Sequence, residues 1–359
     1  MSARTAAVAR AAMPSRARMR GLSLIELMIA MTISLFVLAA LGWVYQGTVQ
    51  TYRTHDSLSR MQESARYAFE LIGKDLRMTG TTACPYQTST NVLTNNTDWY
   101  KDLFRRPLAS VEKDGAVAAV TQYSDALRVL RADVSREYIV QIHNSGAAQF
   151  TLTANHDIAD GQLLVVTDCN HAAVFQANGV GANTVNHVVG GIPGNSAQDL
   201  GNGGPVTYAA GSRLYRMDAV TYYVAPNGAG VPSLFRLTPT GLTAAPTADE
   251  LVEGVEDLQV SFGVDTTPTA DGTADYYTPE VAGVPYLTGS QVDVDATLGT
   301  TPQERWARVV SVRISLMIRT VEDHVVSTPQ KLNFNGAEFD APDLRLRKVF
   351  THVVKLRNR

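Results

Sequence analysis

One carboxylate stands where a charge is costly. Glu26 begins a run in which Leu27–Val44 carries no charged residue, and only Thr32, Ser34 and Gly42 dilute its apolar character. A carboxylate inside a bilayer costs on the order of 2.5–3.5 kcal/mol at the centre and less near the edge, so it needs a partner. The chemistry that this pattern predicts is ion pairing of Glu26 with a partner group.

The element that must position Glu26 is a membrane-spanning helix. As a helix, the uncharged run is about 27 Å long, close to the ~30 Å hydrocarbon core of a bilayer. No cysteine follows the run closely, which argues against a lipoprotein, and a signal peptide cleaved near residues 39–42 is the weaker alternative. Only Arg53 follows soon after the run, whereas several arginines precede it, so we expect a cytoplasmic N-terminus and a globular part outside the cytoplasm. The preceding arginines are Arg4, Arg10, Arg16, Arg18 and Arg20.

Other residues that could do chemistry form no catalytic pattern. The chain lacks Gly-x-Ser-x-Gly, His-Glu-x-x-His and a phosphate loop, so we expect no enzyme and no cofactor. Asp265, Asp271 and Asp275 could gather Ca²⁺, but their spacing is not that of an EF-hand loop. Residues 168–171 have no second ligand cluster, so no metal site is predicted. The histidines are scattered, at His55, His143, His156, His171, His187, His324 and His352.

The charge balance does not favour a nucleic-acid-binding protein. The net charge is −3, and a leader ending at Gly21 would take five arginines and no acid away from the mature chain. Basic residues near the C-terminus would form a basic edge on a strand. This edge is most simply interpreted as edge protection, and alternatively as a patch for an acidic partner subunit or DNA. They are Arg345, Arg347, Lys348, Lys355, Arg357 and Arg359.

The segment after the apolar run predicts a second, amphipathic stretch of helix that ends at Gly80. Its apolar residues recur mostly three and four apart, so one face needs a cover from the rest of the chain. With 45% hydrophobic residues in 359, the chain can bury one sizeable domain or two small ones. The stripe comprises Leu58, Met61, Ala65, Ala68, Phe69, Ile72 and Leu76.

Strand patterns dominate from residue 126 onward. Strands that follow one another without helices favour an antiparallel sheet, and a helix packed on such a sheet gives an α+β fold. Residues 177–212, rich in Gly and Asn, are predicted to be an exposed excursion, and residues 265–303 a second long loop. A hairpin is predicted around Pro226-Asn227-Gly228. The predicted strands are 126–131, 138–142, 149–153, 163–167, 172–176, 213–224, 234–237, 251–262, 309–318 and 349–356.

The two cysteines, Cys84 and Cys169, favour a disulfide if the domain lies outside the cytoplasm. Such a bond would close a long loop between the end of the helix and the middle of the sheet. The loop-entropy model assigns it roughly 4.5 kcal/mol. Two free buried thiols are the alternative.

The N-terminal segment resembles the prepilin signal of type IV pilins and type II secretion pseudopilins. The residues that carry the resemblance are Arg-Met-Arg-Gly-Leu-Ser-Leu-Ile-Glu, positions 18–26. The resemblance implies that prepilin peptidase cuts between Gly21 and Leu22 and that Leu22 is then N-methylated. Glu26 would be the fifth residue of the mature chain and could pair with the free amine of a neighbour's Leu22. An unpaired carboxylate in the packed helices would then penalise a wrong register, so Glu26 would set the register of assembly. Leu22 and Ser23 stand where the commonest pattern has Phe and Thr.

Three further stretches look like PilW minor pilins: 64–80, the Asp-Cys segment at 168–176, and the ending 347–359. The resemblance implies a long helix packed on an antiparallel sheet, and a subunit that assembles rather than catalyses. Its implied partners are other minor pilins, the major pilin and the inner-membrane assembly platform, with which it would prime pilus growth. The implied location is the inner membrane, and then the pilus fibre or tip.

Two alternatives stay open. The stretch 252–258 is similar in J-type pseudopilins of type II secretion, and a membrane-anchored adhesin or ligand-binding module could use the long loops. On the favoured interpretation the chain divides into a leader at 1–21, a transmembrane and assembly helix at 22–53, an amphipathic helix at 54–80 and a β-rich periplasmic domain at 81–359.

Overall fold

One long helix, α1, begins the described chain and spans Leu24–Arg77. It contributes to both units into which the chain divides, Met1–Arg53 and Thr54–Arg359. This computed structural model describes residues 23–95, 99–113, 124–201, 203–238, 247–267, 269, 271–275, 286–334 and 336–356.

In the second unit, α1 buries the stripe that its sequence predicts. The helix ends after Arg77, with Lys74 and Arg77 in the last turn, where positive charge is favourable to the helix dipole. Gly80 then takes a φ of +69°, a backbone conformation that costs glycine little. Leu58 and Phe69 are half-buried, whereas the fully buried apolar residues are Met61, Ala65, Ala68, Ile72 and Leu76.

The remainder of the described chain is mostly β-strand. Two short α-helices also form, α2 (Gly289–Val294) and α3 (Pro302–Ala307), each started by a threonine capping box. Short 3-10 turns lie at Trp99–Lys101 and Ser145–Ala147. The strands are β1 (Thr88–Asn91), β2 (Leu108–Val111), β3 (Ala126–Ala132), β4 (Tyr138–Asn144), β5 (Gln149–Leu152), β6 (Leu163–Thr167), β7 (His171–Gln176), β8 (Thr184–Asn186), β9 (Arg213–Pro226), β10 (Pro232–Thr238), β11 (Thr247–Glu253), β12 (Val255–Val264), β13 (Val309–Arg319), β14 (Lys331–Phe334), β15 (Ala337–Asp340) and β16 (Arg347–Lys355).

The strand β9 organises the larger sheet. Residues 213–216 of β9 pair with β6 and β4, whereas residues 217–226 pair with β3 and β10. One arm of this large sheet therefore runs β1–β7–β6–β9–β4–β5–β8, and the other runs β2–β3–β9–β10–β11. The predicted hairpin at 226–228 is the β9–β10 connection. Among the described pairs, β1 and β7 run parallel and the others antiparallel.

A small antiparallel sheet in the order β12–β13–β16 completes the cover of α1, and β14 and β15 form a hairpin. The predicted strand at 251–262 is wrong as a single strand, because the chain turns at Gly254 between β11 and β12. The φ of Gly254 is +83°, and a Cβ there would come within 2.5 Å of the Arg319 carbonyl oxygen. Only glycine fits that approach.

The buried stripe of α1 shares a main core with the small sheet and the second arm of the large sheet. Trp306 of α3 lies fully buried in that core and packs edge-on against Phe262. A second core fills the first arm around Phe150 and Phe175. One helix packed on antiparallel strands confirms the predicted α+β class.

The two predicted long loops contain ordered, buried residues. The segment 177–212 includes β8 and the fully buried Val185 and Tyr208. Its backbone is held in part by Asn195, whose side-chain amide donates to the Gln176 carbonyl at 2.8 Å. A side chain thus satisfies a backbone carbonyl group that a neighbouring strand would otherwise satisfy. The described part of 265–303 contains α2 and the buried Leu298. The prediction of an exposed excursion is therefore wrong for Val185 and Tyr208, and the prediction of a loop is wrong for Gly289–Val294.

Candidate functional site

The first unit presents apolar side chains on every side of its helix. Large apolar residues from Leu24 to Tyr45 are more than half exposed. Among the described residues, α1 is the one helix long and apolar enough to cross a membrane, and none of its most apolar window is buried. The hydroxyls of Thr32, Thr48 and Thr51 each donate to the carbonyl four residues earlier at 2.8 Å, so these polar groups are satisfied within the helix. Such a surface is stable in lipid or against other apolar helices.

Glu26 lies at the start of this helix in a capping box with Ser23. The Ser23 amide donates to Glu26 Oε2 at 2.9 Å, and the Glu26 amide donates to Ser23 Oγ at 3.2 Å. Each side chain thus satisfies a backbone N–H group that the first helical turn leaves without a partner. The sequence pattern of the apolar run predicts only a partner on a neighbouring chain. The Ser-x-x-Glu spacing of Ser23 and Glu26 is the signal that predicts this local partner.

The predicted cleavage and methylation site, Gly21 and Leu22, lies outside the described residues. The pairing of Glu26 with a neighbour's amine therefore stays a prediction. The capping box uses Oε2 of Glu26, and the residue is exposed.

A buried ionic network joins α1 to the large sheet. The Asp75 carboxylate, only 6% exposed, accepts a hydrogen bond from the Tyr222 hydroxyl at 2.7 Å. The guanidinium groups of Arg236 and Arg131 approach it to 3.2 and 3.4 Å, and Arg131 also lies 3.1 Å from Asp218. Burial and the Asp75 charge raise the pKa of Tyr222. Two cations compensate Asp75, so the helix cannot leave the sheet without exposing unpaired charge.

The cysteines form the Cys84–Cys169 disulfide, with Cα atoms 5.3 Å apart and 85 residues apart in sequence. Cys84 follows the end of α1, and Cys169 lies in the turn between β6 and β7. Near that turn, Asp168 accepts hydrogen bonds from the backbone N–H and the ring nitrogen of His171. The Asp-Cys segment is thus a structured turn that the disulfide fixes to the end of the helix.

Two of the six predicted basic residues are neutralised, so the interpretation of the tail as a basic patch is wrong for Arg345 and Arg347. The Arg347 side chain is fully buried and bonds to Glu256 at 2.7 Å and to Asp343 at 2.5 Å. Arg345 bonds to Asp343 at 2.9 Å. Both arginines hold the pKa of Asp343 well below its ordinary value. Lys348 and Lys355 stay exposed, and the other predicted residues, Arg357 and Arg359, lie outside the described chain.

The carboxylates of Asp265 and Asp275, in the loop that the sequence marks as a possible Ca²⁺ site, accept hydrogen bonds from the loop itself. Asp265 accepts from the amides of Thr267 and Gly272 at 3.1 and 2.8 Å, and Asp275 accepts from Thr266 at 2.7 Å. The Thr267 hydroxyl, which donates to Asp265 at 2.6 Å, and the amides of Thr267 and Gly272 lower the pKa of Asp265. In the described part of the chain, no group of three or more His, Cys, Asp or Glu is placed to hold a metal ion. The hydrogen bonds give these carboxylates a role in shaping the loop.

Two of the scattered histidines meet in the second core, which the sequence did not indicate. The Nε2 atoms of His143 and His187 are 3.1 Å apart, and both rings pack on Phe150. His143 Nδ1 accepts from the Tyr208 amide at 3.1 Å, so its proton lies on Nε2 and is donated to His187. Burial lowers the pKa of His143 to about 4, and burial with the neighbouring ring lowers that of His187 further. The pair is therefore a neutral core contact.

Two family models match the chain. The model described as the prokaryotic N-terminal methylation motif matches residues 16–42, and the model described as type IV pilus-assembly protein W (PilW) matches residues 221–358. The first match covers the predicted cleavage site and most of the exposed apolar helix. The second covers the small sheet that packs on α1. No curated protein and no solved structure matches the chain at a significant level.

Proposed function

We propose that the chain is a PilW-like type IV pilin and that it joins a small complex of minor pilins that primes growth of the type IV pilus. Both family matches support the first part of this proposal. The observation that carries the proposal is the exposed apolar helix of the first unit, which begins near Glu26. The same helix continues into the second unit, where one of its faces is buried in the core of a folded domain. A surface of this kind requires lipid before assembly and other apolar helices afterwards. One segment can thus serve as membrane anchor and as assembly element.

Processing would come first. Prepilin peptidase would cut between Gly21 and Leu22 and remove the arginine-rich leader, and Leu22 would be methylated. The arginines before the cut support a cytoplasmic N-terminus, and hence a periplasmic domain from residue 54 onward. An N-terminal mass beginning at methylated Leu22 is the expected result. An intact leader would contradict this step.

Assembly would follow in the inner membrane. Leu22–Val44 would pack among the helices of other minor pilins and the major pilin on the assembly platform. Glu26, near the apolar edge, would set the register through the amine of a neighbouring subunit, because an unpaired carboxylate is costly there. The subunit would then enter the pilus fibre or its tip.

The experiment that tests the priming role is a clean deletion, scored for surface pili and for secreted exoproteins in the same cells. Lost pili, restored by the intact gene, with normal secretion are the expected result. Lost secretion with normal pili would overturn the proposal and indicate a J-type pseudopilin. If neither changed, the priming role would fail, and an adhesin or ligand-binding module would become the better hypothesis.

A further inference from the structure

The outer edge of β16 carries backbone groups that no strand satisfies in the described chain. Beside this strand, the Leu356 amide bonds to the Val310 carbonyl and the Thr320 amide to the Leu346 carbonyl, and the β13–β16 register between them is unbroken. Even-numbered residues of β16 therefore bond to β13, and odd-numbered residues point their N–H and C=O groups outward. The Arg347 amide is satisfied by the Gln330 side chain. The outward-facing residues left are Val349, Thr351, Val353 and Lys355.

A groove lies directly beside this edge. It has a volume of about 500 Å³ and is formed by one side of α1 and the helix-facing side of β16. Phe69 and Phe350 line it, and both are only half-buried although they pack on the main core. The Phe69 and His352 rings lie 5.3 Å apart across it. The small sheet thus ends one strand short of covering this side of the helix.

The surroundings of the groove are positively charged. Arg66 and Arg77 line it from the helix, and Lys348 lies on the same side of β16 as Phe350 and His352 by the alternation of the strand. Among the described residues that line the groove, the acidic one is Glu70, whose carboxylate is 4.0 Å from the Arg66 guanidinium group. Both of these side chains are more than 70% exposed, so the pair leaves the cations available to a ligand.

We propose that β16 accepts an extended strand from a partner protein, which becomes the fourth strand of the small sheet and fills the groove. Backbone hydrogen bonds to Val349, Thr351 and Val353 would hold it, and apolar side chains facing the helix would cover Phe69 and Phe350. Acidic residues near its ends would meet the cations. The lysines of β16 disfavour edge-to-edge pairing of two copies of this chain, since like charges would face each other. This inference does not rest on the priming role.

A synthetic peptide tests the proposal on the full chain in detergent micelles. The probe is Glu-Val-Thr-Val-Thr-Val-Thr-Val-Glu, which places valine on one face, and the matched control has lysine in place of glutamate. We expect binding of the acidic peptide and at least about tenfold weaker binding of the basic one. Equal binding of the two would overturn the charge argument.

N-methylation separates strand addition from simple adhesion. Methyl groups on the amides of the threonines block one edge of the extended peptide, and those on the valines block the other. One of the two methylated peptides should lose binding and the other keep it, because only one edge faces β16. Equal affinities of both methylated peptides would overturn strand addition.

A protein variant tests the receiving edge. Val353→Pro removes an outward N–H that β13 does not use, so the folded sheet can tolerate it, and Val353→Ala is the control that keeps the N–H. With unchanged thermal unfolding, Val353→Pro should weaken peptide binding about tenfold or more, and Val353→Ala by much less. Equal binding of the acidic peptide by the two variants would show that the outer edge of β16 is not the binding site. If the full chain instead formed a dimer that Val353→Pro dissociates, the strand at this edge would come from a second copy of the chain. That result would overturn the proposal of an acidic partner protein.

Discussion

Tyr222 donates its hydroxyl hydrogen to the Asp75 carboxylate across 2.7 Å, and both side chains are buried. This bond links the last turns of α1 to the centre of β9, the strand that both arms of the large sheet share. The helix and the sheet are therefore joined by charge and hydrogen bonding as well as by apolar packing.

Substitution of Asp75 should be strongly destabilising. Asp75→Asn removes the negative charge between Arg131 and Arg236, and leaving buried guanidinium groups under-compensated should lower the free energy of unfolding by roughly 3 kcal/mol. Urea unfolding of the full chain in detergent, followed by tryptophan fluorescence, measures it. The control is Glu70→Gln on the same helix, where the side chain is 74% exposed and the expected change is within about 0.5 kcal/mol. Equal effects of the two variants would show that the network contributes nothing beyond packing.

The histidine pair should make the domain less stable in mild acid. The folded protein holds His143 neutral down to a pKa of about 4, whereas the unfolded chain takes up a proton near pH 6.5. The unfolded state therefore binds more protons between these values, and the free energy of unfolding should fall by roughly 3 kcal/mol as the pH drops from 6.5 to 4. His187, whose pKa is lowered in the same direction, adds to the loss.

A difference measurement isolates this effect, because Asp257 acts in the opposite sense. Burial raises the pKa of Asp257 to about 6, so it binds its proton first in the folded state and adds stability as the pH falls from 6 toward 4. The steepness of the pH profile should decrease in His143→Gln relative to wild type. The same change at the exposed His324 should leave it unchanged. An unaltered slope in His143→Gln would contradict the assignment.

Arg347 should act as a core residue and not as a DNA contact. Arg347→Ala leaves Glu256 and Asp343 without their buried partner, and the free energy of unfolding should fall by roughly 3–5 kcal/mol. Lys348→Ala, one residue away and exposed, should change it by about 0.5 kcal/mol or less. Retention on a DNA column should be unaffected by Lys348→Ala. Loss of retention in that stable variant would revive the nucleic-acid interpretation.

Ser23 and Glu26 allow capping to be separated from register. Ser23→Ala removes the hydroxyl half of the capping box, which is typically worth about 1 kcal/mol of helix stability, but it keeps the carboxylate. Glu26→Ala removes the carboxylate and, with it, the acceptor of the Ser23 amide in the capping box. We expect membrane insertion in both variants, near-normal pilus numbers in Ser23→Ala and few pili in Glu26→Ala. If both variants lost pili equally, capping alone would explain the role of Glu26.

The helix was predictable because its signals are local. The uncharged run before Arg53 and the three-to-four spacing after it are visible in sequence, and the helix ends at Arg77, three residues before the predicted end at Gly80. The longer strands carry enough aliphatic and β-branched residues to be recognised. Short polar strands such as Thr88–Asn91 were not predicted, since they have no apolar pattern and depend on the neighbouring strand.

The contacts that fix the domain were less predictable because they join distant residues. Asp75 reads as a polar residue beside an apolar stripe, and only the fold brings Arg236 to it. His143 and His187 are 44 residues apart, with no motif between them. The same holds for Arg347, which sequence places on an exposed basic edge and which the fold surrounds with Glu256 and Asp343.

The Cys84–Cys169 bond also limits how far the protein can be stretched. A pull applied at the two ends of the chain bypasses the residues that the bond encloses, because the covalent link carries the load. With 85 residues enclosed, the contour length available for extension is shorter by roughly 300 Å than that of the reduced chain. Four of the seven strands of the first arm, β1, β4, β5 and β6, lie within the enclosed segment and are thereby shielded from tension. Force–extension curves with and without reductant would measure this difference directly.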